Sequence, residues 1–329
     1  MNVQLIASTG MAQRQSLPLD AKVIMTLHRI RQWYDYFDGE VYISFSGGKD
    51  STVLADLVWS LYPDVPALFS NTGLEYPEIV QFVKRKQAEG RPIVIIRPKR
   101  TFRDVVQTEG FALVSKKVSR QVRQIRGNSP NAEATIKLYL TGIRRDGVYS
   151  KGSQLSRKWL NLVDAPFEIS EKCCDVLKKE PFHRYEKETG RKPFIGVMGD
   201  EGGNRSKLTE CNAFDAKKPQ SRPMLFWTEA DVWEYIETHS LEYSDIYKDR
   251  VIDGVVIPGE RRTGCMFCAF GADQERGVNR FQRMAKSHPK QWNYCINKLG
   301  MGAALDYIDV PYMPEPEEPQ MEMFQEVGR

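Results

Sequence analysis

Apolar residues recur at helical spacing over residues 20–38, where Val23, Leu27, Ile30, Trp33 or Tyr34 and Phe37 fall near one face. Asp20 stands where a cap is needed, and Gly39 closes the segment. A β-rich run over residues 41–45 follows, and beyond a glycine loop Val53, Leu54, Leu57, Val58 and Leu61 return to the helical period. The alternation repeats as a strand over 67–70, a helix over 76–89 and a strand over 92–97. Such alternation predicts an α/β fold with a doubly wound, mainly parallel sheet, whose right-handed crossovers gather the loops after the strands at one edge, where a ligand would sit. Later come a strand over 194–197, a polar glycine-rich loop over 199–206 and a helix over 228–238, with Thr228 and Asp231 in capping-box spacing. The expected organisation is a nucleotide-binding α/β domain over 1–235 and a smaller helical, cysteine-bearing region over 236–329. An insertion at about 115–160 interrupts the first, and a Pro- and Glu-rich tail ends the second.

Composition narrows the class. Hydrophobic residues make up 41% of the 329 and charged residues 27%, enough to fill a globular core. No apolar run of membrane-spanning length occurs, and the first residues lack the features of a secretory signal, so a cytoplasmic protein without membrane contact is expected. Six cysteines are too few for a disulfide scaffold, and Cys173-Cys174 and Cys265-x-x-Cys268 have spacings that suit metal chemistry. The net charge of +4 is unevenly spread: residues 115–160 hold eleven Lys or Arg against two acids, so this segment is +9 and the remainder −5. A polyanion such as nucleic acid would suit that segment, and a solvated basic surface is the alternative.

The loop Ser46-Gly47-Gly48-Lys49-Asp50-Ser51 follows a strand and opens a helix. Closely spaced backbone N–H groups and the positive end of the helix dipole suit a phosphate, Lys49 can neutralise charge, and Ser46 and Ser51 can donate from their hydroxyls. The spacing is not that of a Walker A loop. Here the chain resembles the N-type ATP pyrophosphatase (PP-loop) superfamily, and within it the phosphoadenosine phosphosulfate reductase family, whose signature is a Ser-Gly-Gly-x-Asp-Ser loop. It is similar to the ATP pyrophosphatases of DNA phosphorothioation and to cluster-containing adenylylsulfate reductases. The segment from Asn71-Thr72-Gly73 through Glu75 to Glu78 looks like the family's second motif, which more often carries an acid before Thr-Gly. Ser115-Lys116-Lys117 and the run from Ser221 to Thr228 are also family-like, so the resemblance extends over nearly the whole chain. It implies an adenine nucleotide alpha hydrolase-like fold. It further implies ATP or adenosine phosphosulfate held by residues 46–51 with Asn71, Thr72, Gly73 and Glu75, and Mg2+ near Asp50 or Glu75. Lys49, Asp50 and Arg205 would be catalytic, although relatives carry an acidic-Ser-x-x-Arg arrangement where this chain reads Asp200 to Arg205 through two glycines.

Cys173, Cys174, Cys265 and Cys268 together supply the four thiolates of a zinc site or a 4Fe-4S cluster, and spacing alone does not choose between these and unliganded thiols. The resemblance implies the cluster, since Lys178-Lys179-Glu180-Pro181 follows the cysteine pair. Cys211 and Cys295 read as buried thiols, with Cys211 the better sulfur carrier. The family's reductases attack with a cysteine in a C-terminal Glu-Cys-Gly motif, which is absent here. The expected function is therefore ATP-driven activation of an acceptor, nucleic acid bound through the basic segment, for sulfur transfer from a donor such as a cysteine desulfurase. The alternatives are a sulfonucleotide reductase coupled to thioredoxin and a noncatalytic nucleotide-binding subunit.

Overall fold

The computed structural model describes residues 10–127, 132–201, 205–252 and 254–314. Two compact units emerge, one from Met1–Glu109 with Lys172–Met266 and the other from Gly110–Glu171 with Phe267–Arg329. This division differs from a cut near residue 235. The insertion joins the C-terminal segment, because Leu113–Val114 pairs in parallel with Ala269–Phe270, so chain order and spatial order part.

The first unit is built on strands β1 (Val41–Ser44), β2 (Ala67–Ser70), β3 (Ile93–Ile96), β4 (Lys192–Ile195), β5 (Asn212–Ala213) and β6 (Gln220–Ser221). Their order is β3-β2-β1-β4-β6-β5, parallel throughout except for the β5–β6 edge. Ile43 lies opposite both Ala67 and Phe194, which fixes the register at the centre. The chain proceeds from β1 outward to β3 and then returns to the other side of β1 at β4. That reversal opens a crevice beyond the carboxyl ends of β1 and β4.

Helices α1 (Leu19–Tyr36), α2 (Lys49–Trp59), α3 (Pro77–Ala88), α4 (Glu180–Thr189) and α5 (Glu229–Thr238) accompany the sheet. Val53, Leu54, Leu57 and Val58 of α2 are buried as their spacing predicts, each stabilising the fold by about 1.5–3 kcal/mol. Thr228 and Asp231 form the expected capping box of α5. Two expectations for α1 change. Pro18, not Asp20, is the N-cap, and the Asp20 carboxylate accepts the N–H of Ala21 at 2.8 Å. The buried face carries Lys22 and Thr26 beside Ile30 and Trp33, while Ile24 is exposed. Lys22 Nζ donates to both oxygens of Asp231, at 2.8 and 2.7 Å, which makes a charged residue tolerable there.

In the second unit, helices Lys116–Arg126 and Glu133–Thr141 occupy the basic insertion, as its turn signals predict. Ser115 caps the first of them by accepting the N–H of Val118 at 3.1 Å. Phe281, Cys295 and Leu305 contribute to this unit's core. Most of the Pro- and Glu-rich tail lies outside the described residues. Among the described residues no helix is long and apolar enough to cross a membrane.

Candidate nucleotide site

The glycine loop lies at the carboxyl end of β1, at the crevice that the strand order creates. Gly47 has φ +71°, a conformation that L side chains rarely adopt, and a Cβ there would meet Val83 and Ile79 methyls at 2.8 and 2.9 Å. Gly48 has an ordinary φ of −80° but faces Thr263 Oγ1 and Tyr247 Oη, 2.7 and 3.0 Å from an added Cβ. The first glycine makes the turn, and the second keeps space open above it.

The two serines brace the loop. Ser51 Oγ donates to the Gly48 carbonyl at 2.9 Å and accepts the Ser46 N–H at 3.2 Å, while Ser46 Oγ accepts the Gly48 N–H at 3.3 Å. Their hydroxyls therefore have partners within the loop, which modifies the expectation that they address a phosphate directly. Lys49 N–H donates to Tyr247 Oη at 3.0 Å.

Lys49 is 3% exposed, with Nζ 3.3 Å from Asp50 Oδ1 and 3.1 Å from Glu229 Oε1. Burial works against its charge, but Asp50 and Glu229 outweigh burial and hold its pKa above the ordinary lysine value. The ammonium is thus charged and balanced by carboxylates, and a phosphate would have to replace that pairing.

The second motif folds as a self-bonded turn. Asn71 Oδ1 accepts the Gly73 N–H at 3.2 Å, and Gly73 has φ +78°. Thr72 donates to Glu75 from both its N–H, at 2.9 Å, and its hydroxyl, at 2.8 Å. Asparagine replaces the family's acid at a position that here serves turn geometry.

Two cavities meet at Ser46, Thr263 and Gly264. The larger, about 590 Å3, runs over β1 and β4 beneath α4 and mixes Phe69, Tyr76, Ile79 and Phe182 with polar groups. The smaller, about 350 Å3, is lined by Lys49, Arg205 and Arg262 together with Asp50, Asp200 and Glu229. Arg205, Lys49 and Asp50 thus share one chamber, and Glu75 lines the other. Glu229, Tyr247, Arg262 and Thr263 are site residues that sequence reasoning missed. The Arg-Arg-Thr-Gly run immediately before Cys265 was the available signal for two of them.

Cys173, Cys174 and Cys265 belong to the first unit and Cys268 to the second. Cys173 and Cys174 open the helical segment that leads into α4. Four residues on, Lys178 lines the larger cavity; burial disfavours its ammonium, but Cys265, Glu75 and Cys174 outweigh burial and raise its pKa. Among the described residues no three His, Cys, Asp or Glu side chains gather as a metal ion requires. Cys211 and Cys295 are buried, and burial pushes both thiols above the ordinary cysteine value.

A glycine loop between strand and helix, placed at the switch point of a parallel sheet and opening on a cation-lined chamber, is the α/β architecture of a nucleotide-binding fold. The chain belongs to the phosphoadenosine phosphosulfate reductase domain family, which it matches over residues 40–161 and 148–270. It is 24% identical to an uncharacterised Methanocaldococcus jannaschii protein over 83% of this chain, spanning about half of that relative, 52%. It is also 24% identical to the adenosine 5′-phosphosulfate reductase of Anoxybacillus flavithermus, over 81% of this chain and 88% of that one. Among solved structures it is similar to the phosphoadenylyl-sulfate reductase of Candida auris in its phosphate complex. Identity there is 16%, the TM-score is 0.40, and 67% of this chain and 82% of that one are covered, too distant a likeness to add to the fold described above.

Proposed function

We propose that the first unit binds an adenylyl anhydride, AMP joined through its phosphate to a second anion, and that this anion is sulfate. The supporting observation is the pair of cavities meeting at the glycine loop. The larger offers aromatic and aliphatic surface for adenosine, and the smaller offers Lys49, Arg205 and Arg262 for the anions. Family membership and the relatives' names favour a sulfonucleotide as substrate class.

In this reading the chain positions the substrate and an external dithiol, of the thioredoxin type, reduces it. One thiolate attacks sulfur, the S–O bond to AMP breaks, and AMP leaves with the electron pair. The second thiol then attacks the first thiol's sulfur, releasing sulfite and leaving a disulfide. Lys49 and Arg205 neutralise charge that develops on the departing phosphate oxygen. Cys211 and Cys295 take no part, since their thiols are buried and disfavoured as thiolates.

A second reading, pyrophosphate release from ATP during activation of an acceptor, is favoured by the acids of the small chamber. Asp50, Asp200 and Glu229 would suit Mg2+ carried with ATP. A cysteine desulfurase would then be the sulfur source.

A 4Fe-4S cluster would use Cys173, Cys174, Cys265 and Cys268 as its donor set. Four thiols supply the right number and chemistry, a cube holds them at separate corners and not around one point, and Lys178 places a cation beside Cys265 and Cys174. When bound, it would supply an anionic iron-sulfur group carried on cysteine thiolates.

Anaerobic incubation with adenosine phosphosulfate, its 3′-phosphorylated form, or MgATP distinguishes the readings, with thioredoxin and dithiothreitol present and with or without nucleic acid. Sulfite from a sulfonucleotide, retained in Cys211→Ser and Cys295→Ser, is the expected result. Pyrophosphate from ATP without sulfite would overturn it in favour of the second reading, and neither product would favour a binding subunit. Iron and sulfide analysis of the same preparation tests the cluster separately.

A further inference from the structure

The basic insertion is not a uniform charged surface. Arg123 forms a two-pronged bond with Glu171 at 2.7 and 3.0 Å, and Arg126 donates to the Phe167 carbonyl at 2.7 Å and pairs with Glu168 at 3.3 Å. These two arginines hold the second unit together. Cationic groups that face solvent lie elsewhere and include Lys116, Arg120, Lys137, Arg144 and Arg145. Among the described residues, only Arg144 of these five has an ion-pair partner, the exposed Asp146 at 3.3 Å.

Arg144 and Arg145 stand in a tight turn closed by an antiparallel bridge between Ile143 and Tyr149. Beside this turn is a cavity of about 410 Å3, lined by Ala134, Thr135 and Leu138 of the Glu133–Thr141 helix and by Arg144, Arg145 and Asp146. On the return arm Tyr149 is 58% exposed and Val148 54%. The Tyr149 ring lies so close over Gly142 that a Cβ there would meet Cε2 at 2.5 Å, and its hydroxyl donates to Gln154 Oε1 at 2.9 Å. A solvent-facing aromatic ring is thereby held in one orientation by its neighbour and its tip.

We infer that this turn is a binding site for single-stranded nucleic acid, with Arg144 and Arg145 on phosphates and Tyr149 as a stacking platform for a base. Paired cations flanking an apolar recess suit a phosphate with its attached base, and an aromatic ring fixed in place accepts any base face without reading its sequence. A duplex hides its base faces, so the single strand is the form that this combination recognises. The site lies wholly in the second unit and does not depend on which anhydride the glycine loop accepts.

The test is fluorescence anisotropy of the full chain with labelled dT15 and U15, which separate DNA from RNA, and with a mixed-sequence 15-base-pair duplex. Wild type should bind at least one single strand more tightly than the duplex, with affinity falling steeply as salt rises. Arg145→Glu and the Arg144→Glu/Arg145→Glu pair should weaken binding by about tenfold or more, and Tyr149→Ala by about fivefold or more. All three changes are at exposed positions, and circular dichroism with a urea titration checks the fold. Gly48→Ala should leave oligonucleotide binding intact, separating this site from the nucleotide loop. The inference fails if neither strand binds, if the duplex binds best, or if the arginine and tyrosine variants bind like wild type. It also fails if anionic phosphatidylserine vesicles bind where oligonucleotides do not.

Discussion

Gly47 and Gly48 are adjacent, yet alanine should damage the protein in two different ways. At Gly47 the φ of +71° imposes about 1–2 kcal/mol of backbone strain on any L side chain. The new methyl would also press on Val83 and Ile79 at 2.8 and 2.9 Å, overpacking that costs about 1–3 kcal/mol. Gly47→Ala should therefore lose about 2–5 kcal/mol of stability, read as a lower urea midpoint. At Gly48 the backbone is relaxed, and the methyl meets the side-chain tips of Thr263, Tyr247 and Ser46. Stability should fall by about 0.5–1.5 kcal/mol, the worth of the Lys49 N–H bond to Tyr247 Oη that the methyl displaces. The methyl would stand where the two cavities join, so a phosphate loses close approach to the backbone. One charged hydrogen bond, about 1.5–3 kcal/mol, corresponds to roughly 10- to 150-fold weaker nucleotide binding. Calorimetric titration with ATP and adenosine phosphosulfate, beside urea unfolding, measures both effects. A Gly48→Ala protein with wild-type affinity for both nucleotides would refute the placement of phosphate on this loop, and a Gly47→Ala protein with the wild-type midpoint would refute the strain at the turn.

Two further predictions concern buried charge. Lys22→Met should destabilise the chain by about 3–5 kcal/mol, because Asp231 is left with an uncompensated charge, and pairing it with Asp231→Asn should recover part of the loss in urea unfolding. In the second unit, burial raises the pKa of Glu171, but its bonds to Arg123 outweigh burial and the net shift is downward. A depressed carboxylate contributes stability that is present above its unfolded value near 4.5 and is lost as pH falls through the lower folded value. Arg123→Ala should therefore lower stability at neutral pH and flatten its acid limb below about pH 4.5, and an unchanged limb would show that the pair is not coupled to folding.

Legibility from sequence followed the reach of the interactions. The strand-helix alternation, the burial of Val53, Leu54, Leu57 and Val58, and the capping box at Thr228 and Asp231 rest on local periodicity, and all were readable. The buried Lys22 was not. Its partner is over two hundred residues away, and a lysine read alone belongs on the surface. The same limit applies to the site. The loop residues 46–51 were evident because the Ser-Gly-Gly-x-Asp-Ser motif is written in consecutive residues, whereas Tyr247, Arg262 and Glu229 reach the same chamber only through the fold. The basic segment shows the converse error: counting charges overlooked that Arg123 and Arg126 are paired to Glu171 and Glu168 just beyond the segment's end.

The two proposed chemistries would place different anhydrides on the same loop. In sulfonucleotide reduction and in adenylation, the electron pair of the broken bond goes to an oxygen that bridges AMP phosphate to the second anion. Cations near that oxygen stabilise both transition states. The small chamber supplies three cations and three carboxylates, formally neutral at its lining, and both MgATP and adenosine phosphosulfate arrive doubly negative. Overall charge therefore does not separate them. The direction from which the nucleophile approaches does, since reduction needs a thiolate at sulfur and adenylation needs an acceptor oxygen at the α-phosphate. Neither Cys211 nor Cys295 lines either cavity, and both are buried as disfavoured thiolates, so neither supplies the thiolate of a reduction, which in the proposed reading comes from an external dithiol. The two chemistries consequently differ in their dependence on a second macromolecule: reduction should scale with the concentration of external dithiol and ignore nucleic acid, and adenylation should do the reverse.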